Sequence, residues 1–277
     1  MSHIHIPDGV LPLWLWASGW LIALVVVGAA GKFAERADVR RKVPLLAVVS
    51  ALMLVSMSSE IVPIAYHINL TVVGGVLLGP ALSVIAAFIV EVVLAMLGHG
   101  GVTVLGLNTL MIATEMVVGW ALFRGFVRIF GRDHAKRAAA LATVLTLAFT
   151  TTLLVGLVAI AGGGAAATRE TGALDPATLR FENPFSHGVF SAGLLSGVAP
   201  GSNATETPAP TGQSLQLSVK RFAVVVYTLG PIGWLIEALV TAGILGYVAR
   251  VRPGLVWEGV LGDSEHKNPP GHESGVA

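Results

Sequence analysis

The sequence predicts an all-α membrane protein of about seven transmembrane helices, with its N-terminus outside and its C-terminus in the cytoplasm. Three observations predict it. Hydrophobic residues make up 54% of the 277 residues and charged ones only 12%, with a mean hydropathy of +0.78, values typical of polytopic membrane chains rather than soluble domains. The apolar residues come in long runs that approach or reach the length of a membrane span. Lys and Arg concentrate in two short stretches between those runs and again after the last one, a pattern that marks cytoplasmic loops. The same composition excludes whole classes of function. A net charge of +1 leaves no basic field for nucleic acid. With no cysteine, there are no disulfides, thiolate metal sites or cysteine nucleophiles, so any metal is held by nitrogen and oxygen.

The elements follow in order. No Lys or Arg precedes Lys32, so the start lacks the basic region of a secretory signal and is expected to be retained. A first span from about Leu13 to Gly31 is followed by Lys32, Arg36, Arg40, Arg41 and Lys42, which puts that loop in the cytoplasm and the N-terminus outside. A second span, about Pro44 to Pro63, returns outward. The next basic cluster, Arg124, Arg128, Arg132, Lys136 and Arg137, must again be inside, so an odd number of crossings lies between. The apolar segments Leu82 to Leu97 and Val102 to Phe123 supply two. Tyr66 to Gly79 must make the third, although about 14 residues at ~1.5 Å each reach only roughly 21 Å of a ~30 Å hydrocarbon core. Its glycines, Gly74, Gly75 and Gly79, favour a broken or re-entrant piece buried in protein. Two further spans, about Ala138 to Ala161 and Phe222 to Ala249, end on Arg250 and Arg252 at the cytoplasmic face. Between them, residues 162–220 form a long outer loop rich in Gly, Pro, Ser and Thr. Residues 1–261 read as a single transmembrane domain and 262–277 as a disordered cytoplasmic tail.

The chain opens Met1-Ser2-His3-Ile4-His5-Ile6-Pro7-Asp8-Gly9. Two imidazoles lie close to the amine of the chain start; one imidazole, that amine and a deprotonated backbone amide nitrogen can lie in one plane around a divalent cation, and tetragonal nitrogen geometry suits Ni(II) or Cu(II). One further nitrogen would close the square. The topology puts His67, at the start of the short third segment, on the same outer face as the N-terminus. A helix-end histidine bonded to a carbonyl is the plainer reading of His67, and a floppy tail is the plainer reading of the start.

Two motifs add a resemblance. His5-Ile6-Pro7-Asp8-Gly9-Val10-Leu11-Pro12 and Gly98-His99-Gly100-Gly101-Val102-Thr103-Val104-Leu105-Gly106-Leu107-Asn108 are similar to the opening and the glycine-rich segment of the CbiM/NikM family, the cobalt- and nickel-specific substrate-binding subunits of energy-coupling-factor transporters. The likeness covers roughly the first 125 residues well. It implies that the amine of residue one, the amide and imidazole of a histidine at position two, and a histidine in the place of His67 hold the ion. Metal positions are then drawn from Met1, Ser2, His3, His5 and His67, with Asp8, Asn69, His99 and Asn108 as supporting positions. This chain departs from the pattern because Met1, Ser2 and His3 precede Ile4-His5. Removal of Met1 would present Ser2 and His3 in the family's spacing; alternatively, Met1-Ser2-His3 is itself the chelate with His5 or His67 added, or the true start is at Ile4.

Glu60, Glu91, Glu115 and Glu237 lie inside expected spans. An intramembrane acid is a functional candidate, but hydrogen bonding between helices through Ser, Thr and backbone is the preferred reading. His99 between glycines reads as a turn residue rather than a ligand. Ala47 and Ala51 form a small-xxx-small pair that would admit a partner helix. The chain has neither G-x-x-x-x-G-K-[ST] nor H-E-x-x-H, so ATP hydrolysis must come from elsewhere and an enzyme reading is weak. The expectation is therefore an inner-membrane, multi-pass transport subunit, not an enzyme, that binds Ni2+ or Co2+ as cargo without a tightly bound catalytic cofactor. The resemblance implies a transmembrane coupling subunit, ATP-binding cassette ATPases and a small accessory membrane subunit as partners, with the metal feeding cobalamin synthesis or a nickel enzyme. A vitamin-binding subunit of the same fold and a metal-dependent membrane enzyme are the alternatives.

Overall fold

The computed structural model describes residues 11–34, 36–58, 68–98, 101–170 and 219–261. The described residues are helical almost throughout: α1 (Leu13–Phe33), α2 (Arg36–Ser58), α3 (Thr71–Leu78), α4 (Pro80–Met96), α5 (Leu105–Phe130), α6 (Ala135–Glu170), α7 (Val219–Val251) and α8 (Pro253–Leu261), with a 3-10 turn at Arg132–His134 between α5 and α6. The all-α expectation holds. Four stretches, Leu13–Phe33, Leu105–Phe130, Arg132–Ala161 and Val226–Val251, are long and apolar enough to cross a membrane, whereas Lys42–Ser58 and Pro80–Met96 are apolar but shorter. Length alone thus supports four full crossings where the sequence suggested about seven.

The outer surface of this bundle is apolar, and carboxylates and threonines lie buried within its largely apolar core. Leu21, Val25, Leu235 and Leu239 are exposed, while Glu91, Glu115, Glu237, Thr143, Thr146 and Thr241 are buried. Exposed aliphatic faces need no water when lipid surrounds them, and the polar groups find partners only among the helices.

α3 is the axial element. All eight of its residues are buried, and it packs on α2, α4, α5, α6, α7 and α8. Gly79 ends the helix, in line with the short buried piece the sequence suggested, whereas Gly74 and Gly75 lie inside it and allow close packing, Gly75 against α5. A Cβ on Gly75 would sit 2.1 Å from the Met116 carbonyl oxygen. The chain enters α3 through Leu70, a non-glycine residue in the left-handed region at φ 56°, and leaves it at Gly79, where Pro80 opens α4.

Other boundaries also differ from expectation. α2 begins at Arg36, with Pro44 inside it rather than at its start. α6 runs on to Glu170 and α7 starts at Val219, which takes both ends of the expected 162–220 loop into helix; residues 171–218 and the tail 262–277 lie outside the described residues. α8 was not foreseen as an element of its own. It packs on α7, α3 and α5, with Trp257 stacked on Phe123 at 6.4 Å.

Candidate functional site

α6 and α7 are antiparallel and paired along their length. The Thr152 and Tyr227 hydroxyls meet at 2.8 Å, and Gly246 abuts the stem of Lys136. This register sets the buried Glu237 of α7 opposite the middle of α6, where Thr143 and Thr146 are also buried. A second polar group lies where α3, α5 and α6 meet. The Thr71 hydroxyl donates to Glu115 Oε1 and the Thr150 hydroxyl to Glu115 Oε2 at 3.3 Å. Thr150 also lies within reach of its own helix, at 3.1 Å from the Thr146 carbonyl. Glu115 therefore joins three helices through side-chain hydrogen bonds, as expected of a polar residue between helices in lipid. Glu60 lies outside the described residues.

At the end of the bundle where α1 and α5 begin, Leu11, Leu15, Val104, Leu107, Leu154 and Ala161 form a separate apolar cluster. Glycines make the contact close: Gly19 lies against Leu107, and a Cβ on Gly106 would fall 2.6 Å from the Trp20 backbone. The segment entering α5 thus seats Leu11, near the end of the N-terminal motif, and Leu15, which follows it.

Of the expected site residues, Met1, Ser2, His3, His5, Asp8, His67 and His99 lie outside the described residues; Asn69 and Asn108 lie within them. Both are buried. Asn108 and Glu115, seven residues apart on α5, share one helix face. Asn69 has no solvent exposure, and among the described residues neither its Oδ1 nor its Nδ2 has a hydrogen-bond partner. A buried primary amide left unbonded costs about 1–3 kcal/mol. Among the described residues no three His, Asp or Glu side chains are grouped to hold a metal ion. The Thr71 and Thr150 partners of Glu115 escaped the sequence, because their pairing spans 44 and 35 residues; the buried carboxylate was the only signal.

The family model of the cobalt uptake substrate-specific transmembrane region, CbiM, matches residues 5–255. The chain belongs to the CbiM family. It is accordingly a membrane component of cobalt transport. The match reaches far beyond the first 125 residues where the motifs are readable, and takes in α6, α7 and the start of α8. Among similar proteins, one from Halobacterium salinarum named for cobalt transport as a CbiM protein is 29% identical over 222 residues, 74% of this chain and 97% of that one. The cobalt transport protein CbiM of Kyrpidia tusciae is 34% identical over 166 residues, 56% of this chain and 66% of that one. No solved structure matches.

Proposed function

We propose that this CbiM-family chain is the substrate-binding subunit of an ATP-dependent importer of the energy-coupling-factor type in the inner membrane, with Co2+ as its principal cargo and Ni2+ as the ion its nitrogen ligands also accept. The observation that carries the reading is the set of nitrogen donors His3, His5 and His67 in a member of a cobalt-uptake family. Ligands are drawn from the Met1 or Ser2 amine, the following amide, His3 or His5, and His67, with Asp8, Asn69, His99 and Asn108 around them. The buried amide of Asn69, unbonded among the described residues, supports a polar function close in sequence to His67. The packing of Leu11 and Leu15 against Val104 and Leu107 supports the glycine-rich segment as the seat of the N-terminal loop.

In this reading the N-terminus faces outside. The support is that the Lys and Arg residues at the ends of α1, α5 and α7 and the starts of α2 and α6 gather at one end of the bundle, as cytoplasmic ends do. α2 and α4 complete the crossings, with α3 as a half-length passage shielded from lipid. Capture belongs to this chain; energy belongs to a transmembrane coupling subunit and ATPases, with a small accessory subunit beside them.

Metal analysis of the protein purified from cells grown with both ions tests the reading. The expected result is about one cobalt per chain in excess over nickel. Protein without either metal, or with an organic vitamin bound instead, would contradict it.

A further inference from the structure

The end of the bundle opposite α1's start holds a feature that metal capture does not use. A cavity of about 640 Å³ opens where the Arg132–His134 turn, the start of α6, the end of α7 and α8 meet, and Arg132, Lys136, Arg137 and Arg250 line it with a single carboxylate, Asp133. All four cations are exposed, and no ion pair joins them to a carboxylate among the described residues. Like charges held this close repel one another unless an anion enters.

Two of the four are arranged by the fold. The Arg132 guanidinium lies over the Trp257 ring, 5.7 Å from its centroid, and Trp257 is fixed from behind by Phe123. Lys136 lies along α7 because residue 246 is glycine: a Cβ there would come within 2.4 Å of Lys136 Cγ. Any larger residue would push that stem away. Cations held this way lose less side-chain freedom when they bind a phosphate than free surface chains do.

The position selects the ligand's source. The cavity sits at the ends of three membrane-length stretches, Leu105–Phe130, Arg132–Ala161 and Val226–Val251, and the ends of spanning helices come at the level of phospholipid headgroups. Ile129, Phe130, Val251 and Leu255 are exposed on the neighbouring helix ends and offer an apolar surface for acyl chains. The volume is far larger than an inorganic phosphate needs and suits a glycerophosphate headgroup. We propose that this cavity binds the headgroup of an anionic phospholipid, with Arg132, Lys136, Arg137 and Arg250 around the phosphate; basic pockets between transmembrane helices are a recurrent site for such lipids.

Native mass spectrometry of the detergent-purified chain, titrated separately with dioleoyl phosphatidylglycerol, dioleoyl phosphatidylcholine and inorganic phosphate, tests the assignment. The expected result is one phosphatidylglycerol bound at least about tenfold more tightly than phosphatidylcholine. The Lys136→Gln/Arg250→Gln variant should lose most of that preference, Arg137→Gln part of it, and Arg252→Gln, which does not line the cavity, none. Equal affinity for the two lipids, or a preference unchanged in the double variant, would overturn the proposal. So would inorganic phosphate competing as well as the lipid, which would make this a site for free anions. Loss of co-purification with the coupling subunit in the double variant, without any lipid preference in the wild type, would assign the cavity to protein contact and overturn it equally.

Discussion

Glu115 shows how a single polar residue is accommodated in a lipid-facing bundle. Its two oxygens accept from hydroxyls on two different helices, and it is fully buried. Glu115→Leu strands the Thr71 hydroxyl, while Thr150 can fall back on its own helix at Thr146. The expected cost is about 1–2 kcal/mol, read as a shift in unfolding by denaturing detergent, with Glu115→Gln costing less because one acceptor remains. Equal stability in the Leu variant would show that these bonds contribute nothing. Gly75 tests packing instead of polarity. Because its Cβ would meet backbone, Gly75→Ala must move α3 from α5 at a cost of about 1–3 kcal/mol; Gly28→Ala, with nothing within 4 Å, should be neutral.

At the scale of elements, legibility followed length and charge. α1, α4, α5, α6 and α7 were visible because long apolar runs are bounded by arginines, lysines or glycines, and their observed ends fall within a few residues of expectation, apart from the C-terminal extensions of α5 and α6. α2 was misplaced at its start because Pro44 reads as a helix opening, yet α2 is already eight residues long when it reaches Pro44. α8 was missed because Pro253–Leu261 is only nine residues, and its burial comes from contacts with α3, α5 and α7 that no local pattern announces. The packing role of Gly74 and Gly75 could not be told from the helix-ending role of Gly79 for the same reason: a glycine that admits a neighbour and one that ends a helix look alike in sequence. Of the site, only the motifs were legible; the unbonded Asn69 amide is a property of its surroundings. Topology is tested at this scale. With the N-terminus outside, a cysteine introduced at Ser202, in the otherwise cysteine-free chain, should react with a membrane-impermeant thiol reagent from the outer side only; reaction only from the cytoplasmic side would reverse the orientation.

The described bundle has two distinct ends, joined by a largely apolar core that also takes in buried carboxylates and threonines. One end seats the start of α1 on the entrance to α5; the other gathers the cations around Trp257. Membership of a cobalt-uptake family gives the cargo class, and in the proposed reading ATP hydrolysis belongs to partners. A site of amine, amide and imidazole nitrogens binds metal with release of protons. With the amine near pKa ~8 and free imidazole near ~6.5, Co2+ affinity should therefore rise between about pH 6 and 8.

The most direct test is the Co2+ affinity of purified His67→Ala beside the wild type, measured by titration calorimetry at fixed pH. Removing a residue that only supports a metal ligand already costs about 10–100-fold, so loss of a ligand should weaken binding by more than about a hundredfold, with helix content and detergent stability unchanged. Wild-type affinity and stoichiometry in His67→Ala would remove His67 from the site and contradict the proposed mode of capture.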